Sequence, residues 1–136
     1  MLSLDGSLLA ACLNAGTLAL IDAGIPMADY IVACTAGSTS PTFSTSSTNP
    51  SHEGNEENAD PLLDLNGTEE QELPFLTVGT VGAGERVSVL VMESRVRVER
   101  MEGMLAVGVD GCKQVREILD VVVRAQGRRV LEAKVE

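Results

Sequence analysis

The sequence predicts an α+β domain in which helices pack against a mixed sheet, in the order helix, strand, strand, hairpin, helix. Three observations predict it. The run from Leu8 to Ile21 is apolar on nearly every face of a helix, three short segments rich in β-formers follow, and from about Val98 apolar residues recur at three- and four-residue steps. With 136 residues and 44% hydrophobic content the chain can build one core, or part of one, and is too short for two ordinary domains.

The first helix is expected to be capped by Asp5 or Ser7 and ended by Gly24, with Pro26 preventing continuation. Its apolar stretch is interrupted by Asn14 and Thr17, is too short to span a bilayer, and is preceded by Asp5 where a signal peptide carries bases. A helix apolar on most faces must be covered on several sides. Tyr30 to Thr35 reads as a buried strand.

Residues 38–60 interrupt this pattern. From Ser38 to Ser51 ten of fourteen residues are Ser or Thr, and the acidic Glu53–Asp60 follows. Such a composition buries too little apolar area to order itself, so a disordered insertion is expected, either a neutral linker or a phosphorylatable segment.

Leu62 to Leu65 is a further short strand, and Asn66-Gly67 is turn chemistry; the sequon Asn66-Gly67-Thr68 has no secretory context. Phe75–Val81 and Arg86–Met92 form a hairpin around Gly82-Ala83-Gly84-Glu85. Val87, Val89 and Val91 share one face of its second strand and Leu90 and Met92 the other, which predicts a strand covered on both sides. The last helix carries Val98, Met101, Leu105, Val109, Cys112, Val115, Leu119 and Val122 along one stripe. Gly103, Gly108 and Gly111 each cost it about 1 kcal/mol relative to Ala, which predicts close approach of another element. Beyond Gly127 the tail is compatible with helix.

Charge narrows the function. All ten Lys and Arg lie at or after Arg86, twelve of the twenty acids lie before it, and the net charge is -10. The first 85 residues therefore repel phosphate, and any work on RNA needs positive potential from partner chains. The three aromatic residues, Tyr30, Phe43 and Phe75, provide no base-stacking platform. Cys12, Cys34 and Cys112 are widely spaced and His52 is the only histidine, so no metal site is expected. Buried reduced thiols are the expectation, as in the cytosol or nucleus.

Three stretches, Asp5-Gly6-Ser7, Asp22-Ala23-Gly24-Ile25-Pro26-Met27 and Pro61-Leu62-Leu63-Asp64-Leu65-Asn66-Gly67-Thr68-Glu69-Glu70, together resemble the C-terminal half of the RNase PH family. The similarity runs over Leu4 to Gly37 and Pro61 to about Arg124, and is strongest to ring subunits of the eukaryotic RNA exosome. It implies a ribosomal-protein-S5-domain-2-like fold whose first half would precede Met1, so an exposed sheet edge or apolar helix face is expected here.

Phosphorolysis places inorganic phosphate beside a terminal phosphodiester, so a site must supply cations and amide donors there. The resemblance puts that phosphate turn at Gly6-Ser7-Leu8, with Leu8 where active relatives carry arginine. It puts a pair of acids at Glu70 and near Phe75, with Asp64, Glu69 and Glu72 close by. A leucine cannot hold phosphate, and a phenylalanine cannot give a proton or bind a metal. Removing one preorganised charge costs about 3–4 kcal/mol in the transition state, and two such losses are hard to repair.

The resemblance therefore implies a catalytically silent exosome ring subunit, needing no cofactor and meeting no membrane. It would support 3′-to-5′ RNA degradation and rRNA processing in the nucleus, nucleolus and cytoplasm. Its implied partners are other RNase PH-like exosome ring subunits, cap subunits and a hydrolytic nuclease, with RNA passing through the assembled channel. Arg95, Arg97 and Arg100 are the densest basic cluster and the candidates for contact with RNA or a partner. Two alternatives stand beside this reading. One is an active phosphorolytic 3′-to-5′ exoribonuclease whose arginines come from elsewhere, and the other a small acidic protein-interaction domain.

Overall fold

A computed structural model describes residues 5–39 and 60–133. Helix α1 (Leu8–Asp22) leads into strand β1 (Ile31–Ser38). Strand β2 (Pro61–Leu63) is followed by a short helix α2 (Gly67–Glu72), the hairpin strands β3 (Phe75–Val81) and β4 (Val87–Met92), and the long helix α3 (Val98–Ala133). The α+β class and the hairpin stand as read from the sequence. The sheet, however, has the order β2-β1-β3-β4 and is antiparallel at every described pairing, where a mixed sheet was expected.

Residues alternate between the two faces of this sheet. Cys34, Ala36, Leu76 and Val78 point to α3 and meet Met104, Val109 and Cys112 in the main core. Helix and sheet come close because α3 offers glycines there. A Cβ at Gly108 would lie 2.7 Å from Val78 Cγ1, and one at Gly111 would lie 2.9 Å from Cys34 Sγ. Gly103 differs from the expectation, since a Cβ there would meet nothing within 4 Å. Burial pushes the Cys34 thiol up to about 11, assisted by Cys112 and Asp64.

The other face carries Ala33, Thr35, Phe75, Thr77 and Val91, and α1 lies over part of it. The two residues that interrupt the apolar run of α1 are the ones that fasten it. Strand β2 pairs β1 only at residues 36–38, which leaves the backbone of residues 31–35 open on that side. Asn14 fills the gap as a strand would: its Nδ2 donates to Ala33 O (2.9 Å), and its Oδ1 accepts from Ala33 N–H (2.8 Å). Thr17 Oγ1 donates to Ile31 O (2.8 Å), and Asp64 N–H donates to Thr35 O (2.9 Å). Four backbone groups are thereby satisfied without a strand.

Only Ala10 and Thr17 of α1 are buried, and Leu8, Leu9 and Leu20 are exposed, so the helix is covered on one side and not on several. Strand β4 likewise departs from the two-sided expectation. It is an edge strand with Leu90 and Val91 exposed, and a bulge near Gly79 and Thr80 pairs Thr80 with Val87 after Gly79 with Val89. That irregularity turns Val87 towards the α3 core and separates it from Val89 and Val91.

Strand β1 runs to Ser38, the first residue assigned to the insertion, and Thr39 N–H donates to Asp60 O at its base (3.0 Å). The rest of the expected 38–60 insertion lies outside the described residues. Past Gly127 the chain stays helical to Ala133, with Ile118 64% and Val121 69% exposed. A polar cluster ties this helix to the α1–β1 connection just before β1. Arg116 Nη2 pairs with Asp29 Oδ1 (2.8 Å) while its guanidinium stacks 4.3 Å from the Tyr30 ring centroid, and Tyr30 OH donates to Asp120.

Candidate functional site

The site forms where the segment before α1 meets α2. Gly6 and Ser7 both have left-handed backbones, with φ of 87° and 49°. Gly6 is required there, because a Cβ would run into the Leu65 carbonyl. Neither Asp5 nor Ser7 caps α1, contrary to the sequence expectation. Ser7 makes no side-chain cap, and its hydroxyl donates to Leu65 O at 3.4 Å. Asp5 Oδ1 accepts instead from Gly67 N–H at the start of α2 (3.1 Å). A left-handed Ser7 aims its side chain away from the helix it precedes.

Helix α2 went unread in the sequence, although its signal was present. Asn66 Oδ1 accepts from Thr68 N–H and Glu69 N–H (3.0 and 2.9 Å), and Glu69 Oε2 accepts from Asn66 N–H (2.9 Å). This Asn-x-x-Glu capping box could have been recognised from the spacing. Its consequence is the placement of Glu70, whose Oε1 accepts the Ser7 N–H at 2.7 Å. The carboxylate thus occupies the amide donor at the N-terminus of α1, where a helix favours an anion.

Leu8, Leu9 and Cys12 from α1 then face Phe75 and Thr77 from β3 and Val91 from β4, around a groove of about 360 Å³ that Glu70 and Glu93 also line. Leu8, Glu70 and Phe75 are therefore brought together, with Ser7 joined to Glu70. Asp64 is not part of the lining; it is exposed with a left-handed backbone. Arg95 and Arg97 are exposed in the β4–α3 connection and Arg100 is half-buried in the first turn of α3. None of the three lines the groove, and neither does any other cation among the described residues. Cys34 and Cys112 are buried as expected, whereas Cys12 is exposed.

The arrangement can bind apolar groups and cations, and among the described residues it offers phosphate no positive side chain. Among the described residues no cluster of His, Cys, Asp and Glu could hold a metal ion. Nor is any described helix long and apolar enough to cross a membrane.

No family model matches the chain. It is 34% identical over 129 residues to exosome complex component SKI6 of Saccharomyces cerevisiae, covering 95% of this chain and 45% of the relative. Exosome complex component RRP41 of Mus musculus is 35% identical over 136 residues, which is 99% of this chain and 47% of the relative. The RRP41 homolog of Arabidopsis thaliana is 34% identical over 131 residues, at 96% and 47% coverage. The chain thus spans about half the length of the curated relatives it matches. Over that span, its sequence is similar to proteins named exosome complex component RRP41 or SKI6.

Proposed function

We propose that this chain is a structural subunit of the exosome ring, or a fragment of one, that serves 3′-to-5′ RNA degradation and rRNA processing by assembly, without phosphorolysis of its own. The observation that carries the silent reading is the 2.7 Å bond from Ser7 N–H to Glu70. Phosphate at that turn would have to displace the carboxylate and then sit beside it. Leu8 offers no compensating charge, and among the described residues the groove around it has acids and no bases. The two anions would repel each other at that distance.

The similarity to proteins named exosome components supports membership of such a complex. Its partners would be RNase PH-like ring subunits, cap subunits and a hydrolytic nuclease, with RNA reaching the complex through the assembled channel in nucleus, nucleolus and cytoplasm. Arg95, Arg97 and Arg100 stand on the α3 entry as the contacts this reading offers to RNA phosphate or to an acidic subunit face. Affinity purification of the protein from its own cells tests the assignment. Recovery of RNase PH-like subunits is expected, and their absence from the purified material would refute it.

The exposed apolar residues of α1 and α3 suit a chain that works inside an assembly. The active alternative rests on Glu70, which stands at the matched acid position. It would require arginines from a partner chain or from the other half of the fold to enter the groove beside Leu8.

A further inference from the structure

We propose that the Asn66–Gly67 peptide is a deamidation site that the fold keeps closed, and that its conversion to isoaspartate unfastens Glu70 from Ser7. Of the five asparagines only Asn66 precedes a glycine. Glycine has no Cβ to shield its own amide nitrogen, so this nitrogen can attack the neighbouring carboxamide. The bond from Gly67 N to Asn66 Cγ forms, the bond from Cγ to Nδ2 breaks, and ammonia leaves with the proton that Gly67 N gives up. Water then opens the cyclic imide at either carbonyl. One opening leaves aspartate, and the other leaves isoaspartate, in which the main chain runs through Cβ and Cγ.

Ring closure needs the Cα–C bond of Asn66 to turn from its ψ of 169° until Gly67 N eclipses Cβ. The atoms that would have to move are tied. Gly67 N–H donates to Asp5 Oδ1 (3.1 Å), Asn66 O accepts from Glu70 N–H (3.0 Å), and Asn66 Oδ1 accepts from Thr68 N–H and Glu69 N–H. The Asp5 carboxylate also disfavours negative charge on the nitrogen that must lose its proton. Isoaspartate would remove the Oδ1 cap and draw the residue 66 carbonyl away from Glu70 N–H. Helix α2 then loses its start, and the Ser7 N–H that Glu70 accepts at 2.7 Å comes free. This inference rests on the bonds around Asn66 and holds whether or not the chain assembles into an exosome.

The experiment ages the full chain in warm, mildly alkaline buffer and follows residue 66 by peptide mapping that separates asparagine, aspartate and isoaspartate. Deamidation of the folded parent is expected to be about tenfold slower than that of the chain unfolded in urea. Asp5→Ala and Glu69→Ala should each speed it about fivefold in the folded chain. Thr17→Val, which loses a hydrogen bond to β1 far from Asn66, should leave the rate unchanged and so separates local opening from global unfolding. In the isoaspartate species, hydrogen exchange at Ser7 should be faster than in the parent. The proposal is overturned by equal rates in folded and unfolded chains, by equal effects of Thr17→Val and Asp5→Ala, or by Ser7 exchange that isoaspartate does not change. Slower deamidation in Asp5→Ala would also overturn it, because Asp5 would then be the base for the attack.

Discussion

The two faces of the sheet are built by different physics. Towards α3 the contact is dry and close: glycines let the helix backbone descend onto Val78 and Cys34, and Leu76 is fully buried. Towards α1 the contact is polar and partial. Asn14 and Thr17 bond to the open backbone of β1, Thr35 and Thr77 hydroxyls meet at 3.3 Å, and Val91 remains 41% exposed beside a groove. One face holds the fold together, and the other carries the candidate site. A groove persists on the second face because hydrogen bonds fix α1 over β1 and no other described helix covers β3 and β4.

Equal apolar deletions should therefore have unequal effects. Leu76→Ala is expected to destabilise by about 3 kcal/mol, through lost burial and a cavity, whereas Val91→Ala should lie within about 0.5 kcal/mol of the parent. Denaturant unfolding measures both. Similar losses at the two positions would erase the distinction between the faces.

The polar fastening is the next largest effect. Asn14→Leu fits the apolar run of α1 better than Asn14 does, yet it leaves Ala33 N–H and C=O without partners. A loss of about 2 kcal/mol is expected, with faster hydrogen exchange at Ala33. A stabilised variant would show that the amide contributes nothing to the edge of β1.

Glycines sharpen the comparison along one helix. Gly103→Ala should stabilise by about 1 kcal/mol, since the site is open and alanine favours helix. Gly108→Ala gains the same propensity but pushes a methyl to 2.7 Å from Val78 Cγ1, for a net loss of about 1 kcal/mol. Thermal unfolding should move the two variants in opposite directions.

This contrast also marks what could be read in advance. The stripe of α3 and the hairpin were legible because their apolar period is local and strong. The close approach at Gly108 and Gly111 was legible as well, but Gly103 looks identical in sequence and faces solvent. Asn14 and Thr17 looked like interruptions, since their partners lie on a strand whose pairing with β2 ends at Ala36. The bulge that turns Val87 over leaves no mark in the valine pattern. Leu8, Glu70 and Phe75 came into view as a set through family resemblance. The bond between Ser7 and Glu70 depends on a left-handed serine, which residue type alone does not announce.

The smallest effect concerns the polar cluster beside these layers. Burial, and then the hydrogen bond and charge of Asp120, push the single tyrosine, Tyr30, up to about 12. Its folded pKa thus exceeds the ordinary value of 10.0, so the stability it contributes is present below about pH 10 and is lost as pH rises towards 12. Ultraviolet titration of tyrosinate should show the raised midpoint, and Asp120→Asn should lower it part of the way. An ordinary midpoint in the parent would mean that the hydroxyl is not held by Asp120 in solution.

The most direct test of the silent site is product analysis on the purified complex, using RNA with a free 3′ hydroxyl, with and without inorganic phosphate, for the parent chain and for Glu70→Gln. The structure predicts that any nucleoside diphosphate release is the same in both, because Glu70 only holds Ser7 N–H in place. Phosphate-dependent release of nucleoside diphosphates that disappears with Glu70→Gln would contradict this account and make Glu70 a working catalytic acid.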